Sequence, residues 1–189
     1  MSKILAFSGS FRKHSFNSRI AAVAAEGARK AGAQVTQIDL TDFPMPIMNP
    51  DDVDSGEFDP NALRFQELLY ENDGFIIASP EFNGSLPGGF KNAIDWASRA
   101  NGRFKLGDVF KGKCAAIMTA SPGSFGGIRC LAHLRGILSM LQVHVHPTEI
   151  AVPFIRDKFD GDGPEMTDEK TRALLEGLGA SLVAMARRG

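Results

Sequence analysis

The chain has 189 residues, 21 of them basic and 22 acidic, for a net charge of −1 at pH 7. Hydrophobic residues make up 43% and charged residues 23%, so one domain spanning residues 1–189 can build a core without a metal or disulfide staple. That balance excludes a nucleic-acid binder, which would carry a basic stripe, and a strongly acidic protein steered to basic partners.

Ile4 to Ser8 is a short apolar run followed by Gly9-Ser10, which predicts a buried parallel strand ending in a turn. The run reaches Gly9 too soon for a signal peptide, and no apolar stretch approaches the roughly 18 residues of a membrane span, so the expected location is the cytoplasm. Arg19 to Lys30 predicts a helix closed by Gly32, and Gln34 to Leu40 alternates as a second strand. Pro44, Pro46 and Pro50, with the acidic run Asp51 to Asp59, predict a long solvated loop. Further along, Pro60 opens a helix to about Asn72, Gly74 to Ser79 reads as a strand, and Leu86 to Ser98 as a helix with Pro87 in its first turn. Lys113 to Ala120 is a fourth strand and Ile128 to Leu141 a helix. Val143 to Val152 is a fifth strand interrupted around Pro147, Asp157 to Pro164 a second acidic loop, and Thr167 to Arg187 the closing helix. Cys114 falls in a strand and Cys130 in a helix, so both read as reduced core thiols.

Strands alternating with helices at this spacing predict βαβ units and a parallel sheet covered on both faces. Five strands and five helices fit a flavodoxin-like three-layer α/β sandwich with strand order 2-1-3-4-5. Ligands on such a sheet bind beyond the carboxyl ends of the strands, and three of those ends carry unusual loops.

The first loop runs from Ser8 to Asn17. Its small residues let amides point inward, the helix behind it adds a positive field, and Ser10, Arg12, Ser15 and Asn17 supply further donors. It is neither a dinucleotide fingerprint nor a Walker loop, and suggests capture of a terminal monophosphate; a plain turn with a Ser15 helix cap would explain only part of it. The second loop begins Ser79-Pro80-Glu81-Phe82-Asn83-Gly84-Ser85, with Pro87, Gly88 and Gly89 after it. Exposed amides from Phe82 to Ser85 suit the polar edge of a flat ring system, and Phe82 suits its face. Third comes Ser121-Pro122-Gly123-Ser124-Phe125-Gly126-Gly127, whose glycines permit a backbone nest beside a planar ligand.

The segment from Ser79 to Arg99 resembles the signature of the NADPH-dependent FMN reductases, a family that includes quinone, azo-dye and chromate reductases. The segment from Gly9 to Asn17 resembles the phosphate loop of that family, Gly-Ser-x-Arg-x-x-Ser-x-Asn. The resemblance runs from Ile4 to about Ile150. It implies FMN as cofactor and NADPH or NADH as donor, with phosphate anchoring by Ser10, Arg12, Ser15 and Asn17. It further implies ring-edge recognition by Pro80, Glu81, Phe82, Asn83, Gly84 and Ser85, and a second wall from Ser121, Pro122, Gly123 and Ser124. Where the family often has Tyr, this chain has Phe82, which removes a hydroxyl and leaves the packing role.

No catalytic acid, base or metal ligand is assigned, because the flavin carries the hydride. His144 and His146 share a strand face but lack further ligands, and His133, on a helix with Arg129, reads as a subunit contact or a satisfied interior position. Lys91 and Asp95 read as a surface helix pair. The expected activity is ping-pong, two-electron transfer from NAD(P)H to a quinone, azo compound, free flavin or metal oxyanion such as chromate. A homodimer or homotetramer is expected, with no nucleic-acid or membrane partner. The alternatives are a flavodoxin-type one-electron carrier and a flavin-free protein on the same fold.

Overall fold

A computed structural model of the chain describes residues 1–161 and 163–187. The elements in chain order are β1 (Lys3–Ser8), α1 (Phe16–Lys30), β2 (Gln34–Gln37), α2 (Pro50–Asp54), α3 (Pro60–Glu71), β3 (Gly74–Ala78), α4 (Gly88–Ser98), β4 (Cys114–Ala120), α5 (Ile128–Met140), β5 (His144–Val145), β6 (Ile150–Val152) and α6 (Glu169–Ala186). Short 3₁₀ turns occupy Leu40–Asp42 and Ile155–Lys158. The parallel sheet runs β2-β1-β3-β4-β5, with β6 also on β4, the flavodoxin-like order the sequence predicts.

Alternation within the central strands explains the three layers. Leu5 and Phe7, Phe75 and Ile77, and Ala115 and Ile117 point to the face covered by α3, α4 and α5. Ile4 and Ala6, Ile76 and Ala78, and Ala116 and Met118 point to the face covered by α1 and α6. On the second face the two helices meet backbone to backbone at two glycines. A methyl group on Gly179 would sit 1.9 Å from the Ala24 carbonyl oxygen, and one on Gly27 would sit 2.0 Å from that of Glu176.

Several boundaries differ from the sequence reading; the second strand, for one, ends at Gln37, before a 3₁₀ turn at Leu40–Asp42. Helix α1 starts at Phe16 rather than Arg19, because the Ser15 hydroxyl accepts the Asn17 amide and caps it. Within the expected acidic loop, Asn49 caps a short helix, α2, with Pro50 at its first position. The fifth strand is two separate pieces on β4. His144 and Val145 pair with Cys114 and Ala115, and Ile150 to Val152 pair with Met118 to Ala120. Pro147, which has no amide to give the ladder, lies between them. Asp162, in the second acidic loop, lies outside the described residues. Both cysteines are buried and free. Burial pushes the Cys114 thiol up to about 11 and raises that of Cys130. Among the described residues, no helix is long and apolar enough to cross a membrane.

Candidate flavin site

Because β1, β3 and β4 are parallel and adjacent, their following loops share one edge of the sheet. Three contacts join those loops into a rim. The Asn17 side-chain amide donates to the Ala120 carbonyl at 3.0 Å and accepts the Ala120 amide at 2.9 Å, tying the start of α1 to the end of β4. The Phe11 ring packs on Gly89, where an added methyl would come within 2.8 Å of it. The Glu81 carboxylate, after β3, accepts the Arg129 backbone amide at 2.9 Å and its Nε at 2.8 Å, reaching the first turn of α5.

The first loop is an open nest of donors. Ser8 Oγ accepts the Ser10 amide and Ser10 Oγ accepts that of Arg12, at 3.1 and 3.3 Å. With Ser15 capping α1, these hydroxyls hold the loop as acceptors and keep their own protons to donate. The amides of Phe11, Lys13 and His14 have no partner among the described residues, and neither has the exposed Arg12 guanidinium. Free amides, a helix N-terminus and an unpaired guanidinium together fit a phosphate. Asn17 sits beside them; its Oδ1 and one Nδ2 hydrogen are used by Ala120, which holds the loop in place, and its second Nδ2 hydrogen is left to donate.

The second loop closes as a two-residue hairpin. Phe82 and Ser85 exchange backbone hydrogen bonds at 2.8 and 3.0 Å, and Asn83 and Gly84 take φ of 51° and 81°. Those are the left-handed angles of a type I′ turn, for which Asn-Gly is the favoured pair. Of the four amides expected to be free here, those of Phe82 and Ser85 are consumed by the turn. Asn83 and Gly84 keep theirs, and no atom outside the turn lies within 4 Å of where a Gly84 side chain would start. Two adjacent free amides fit the polar edge of a flat heteroaromatic ring. Phe82 is exposed beside them. Ser85 Oγ is 2.9 Å from His133 Nδ1 on α5, so His133 is a neighbour of this loop rather than an interior residue. Burial alone would raise the Glu81 carboxyl; the hydrogen bonds from the Arg129 side chain and backbone, with its charge, outweigh that and hold it below the usual carboxylate range. Glu81 therefore braces the rim by tying the loop after β3 to α5. Pro80 follows Ser79, whose hydroxyl donates to the Pro80 carbonyl at 3.0 Å.

In the third loop Ser121 Oγ accepts the Gly123 amide at 3.2 Å, and the Ser121 amide donates to the Val152 carbonyl. Pro122, Gly123 and Ser124 are exposed, and the Ser124 and Phe125 amides are free among the described residues. Sequence reasoning missed Phe154, two residues past β6, whose amide donates to the Gly123 carbonyl at 3.4 Å and brings it to this loop. Among the described residues no three His, Cys, Asp or Glu could hold a metal. The His146 ring nitrogen accepts the Thr148 amide in a local turn. Lys91 and Asp95 form a surface pair at 2.6 Å.

Beyond its geometry the site has relatives. The family model for NADPH-dependent FMN reductases matches residues 2–157, and the chain belongs to that family. It is thus an oxidoreductase that works with FMN and a nicotinamide donor. The chain is 37% identical over 175 residues to an NAD(P)H-dependent FMN reductase of Pseudomonas aeruginosa, covering 92% of this chain and 89% of that one. With an NAD(P)H:quinone oxidoreductase of Solanum tuberosum it shares 35% over 189 residues, covering 97% and 92%. Among solved structures, the flavoenzyme NAD(P)H:(acceptor) oxidoreductase FerB of Paracoccus denitrificans superposes with a TM-score of 0.83 at 28% identity, covering 100% of this chain and 98% of that one.

Proposed function

We propose that the rim holds FMN and that the chain, acting as one domain, passes two electrons from NADPH or NADH to quinones and free flavins by a ping-pong cycle. When bound, FMN supplies the redox chemistry, taking hydride from the nicotinamide and giving the electron pair to the acceptor. The residues bind and orient. Ser10, Arg12 and Ser15, with the amides of Phe11, Lys13 and His14, take the phosphate, while Asn17 fixes that loop to β4. The Asn83 and Gly84 amides meet the polar edge of the ring, with Pro80, Phe82 and Ser85 shaping that side. Ser121, Pro122, Gly123 and Ser124 form the opposite wall, braced by Glu81 through α5. The single observation that carries the reading is the meeting, on one rim, of a free phosphate nest and two free amides on a rigid hairpin. Azo compounds and oxyanions such as chromate are further candidate acceptors for an open site of this kind.

A groove of about 820 Å³ between α4, α5 and the segment 105–108 shares no lining residue with the three functional loops of the rim. Ile94, Leu106, Ile137 and Met140 line it, and Leu106 and Met140 are exposed. We assign it to a second copy of the chain in a homodimer or a homotetramer working in the cytoplasm. Light scattering should give at least twice the chain mass, and Met140→Glu should shift it toward a monomer.

The test of the activity is anaerobic. Protein loaded with FMN should bleach on one equivalent of NADPH and recover on adding benzoquinone. Bleaching by dithionite but by neither nicotinamide would make the chain a one-electron carrier, and protein that retains no flavin would end the proposal.

A further inference from the structure

Exposed aromatic rings gather at one edge of the molecule. Phe11, Phe82, Phe125 and Phe154, all exposed, follow β1, β3, β4 and β6 in turn, which puts all four at the carboxyl edge of the parallel sheet. An exposed ring gains little for folding, so a set of them along a single rim marks a surface built to meet apolar ligand.

Phe154 stands out among them. Its φ is 50° and its ψ 43°, the left-handed region, where a bulky side chain is strained and stability alone would place Gly or Asn. It is 51% exposed, so packing does not offset that strain. Strain at an exposed residue beside a ligand site is a sign of a functional constraint. The backbone explains how it is held there. The Phe154 amide donates to Gly123 and that of Ile155 to Ser121, so the turn after β6 is laced to the third loop. Phe125, 65% exposed, belongs to that same loop, and the Arg129 guanidinium lies 5.3 Å from its ring centre. Arg129 is in turn paired with Glu81 at 2.7 Å, so its charge is matched. This side of the rim presents rings and a neutralised cation, which suits a flat apolar molecule better than an oxyanion.

We infer that Phe154, together with Phe125, is a specificity-determining residue that holds planar aromatic acceptors at the rim and favours them over compact or anionic ones. This rests on the flavin reading proposed above. The left-handed backbone is the cost of turning the ring toward ligand, so removing the ring should relieve strain and lose selectivity together.

The experiment uses FMN-loaded full-length protein and three variants: Phe154→Gly, Phe154→Tyr and Phe125→Ala. For Phe154→Gly the thermal midpoint should rise or stay level, and FMN affinity should stay within about twofold, since no phosphate or ring-edge donor is touched. Its kcat/KM for 2-methyl-1,4-naphthoquinone should fall about tenfold, the scale of one lost ring contact, while ferricyanide reduction stays within about twofold. Phe125→Ala should show the same split, and Phe154→Tyr should restore naphthoquinone turnover. As a readout independent of turnover, binding of 2-naphthol, a flat ring that accepts no electrons, should weaken in Phe154→Gly by calorimetry. Unchanged naphthoquinone kinetics and 2-naphthol affinity, in protein that binds FMN and reduces quinone, would overturn the inference and leave the flavin reading intact. A change of oligomeric mass in Phe154→Gly would also overturn it, making Phe154 a subunit contact. Parent protein that binds no FMN would remove the flavin reading itself.

Discussion

The α1–α6 seam and the loop rim at the carboxyl edge use small residues for opposite ends. At the seam, Gly27 and Gly179 let two helices touch backbone to backbone, so that face of the sheet is sealed. At the rim, Gly84 supplies a positive φ with open space around it, leaving amides for something outside the chain. The seam pairs its polar groups within and across its helices, as Lys30 does with Glu176. The rim keeps several free and shows four exposed rings. A region built for folding leaves nothing over, and one built for binding does.

The seam is where the largest effect is expected. Gly179→Ala puts a methyl against the Ala24 carbonyl oxygen and forces the helices apart, at about 3 kcal/mol or more by urea unfolding. Activity per folded molecule should survive, because the strain falls at Ala24, about two turns from the start of α1. A cost under about 1 kcal/mol would show that the helices slide freely and would erase the contrast. Next is Asn17→Ala, which leaves the buried Ala120 amide and carbonyl without their partner and should cost about 2 kcal/mol. Unlike the seam variant, it should also weaken FMN binding, since the clamp sets the phosphate loop; stability loss with unchanged FMN affinity would detach the clamp from the site.

Glu81→Gln removes one charge from the brace under the third loop and should cost about 1 kcal/mol, a cap-sized effect. Its pH dependence has a fixed sign. The folded-state carboxyl is lowered, so the brace is fully present above the unfolded value of about 4.3 and is lost as pH falls through the lowered folded value. The parent should therefore lose more stability than Glu81→Gln on acidification below about pH 4; parallel loss in both would contradict the brace. The smallest effect is chemical. Cys114, pushed up to about 11, and buried Cys130 should resist iodoacetamide at pH 8 in native protein and react only in denaturant, as read by mass.

Much of this was legible in the sequence because it is local. The apolar runs at Ile4, Gly74 and Lys113, each followed by a loop of small residues, set the central strands and the edge where ligands belong. Ser15 as a cap is a short-range event, and so is the break at Pro147. The Asn83-Gly84 pair also carried its type I′ hairpin openly, and from it the loss of the Phe82 and Ser85 amides could have been read. What stayed hidden needed the fold. Asn17 finds Ala120 103 residues on, and Glu81 finds Arg129 48 residues on. Both residues, singled out in the sequence for a ligand, also brace the rim through these distant partners. Gly27 and Gly179 look like ordinary helix interruptions until the helices cross. Phe154 gives no local sign of its backbone angle, since Phe rarely adopts it.

The most direct test of the rim is to compare FMN with riboflavin, which differs only in lacking the phosphate, by quenching of flavin fluorescence. FMN should bind at least about 100-fold more tightly, with Arg12→Ala removing about tenfold of that preference and leaving riboflavin affinity unchanged. Equal affinity for the two flavins in the parent protein would mean that the loop from Ser8 to Asn17 holds no phosphate, and the site would have to be sought elsewhere on the molecule.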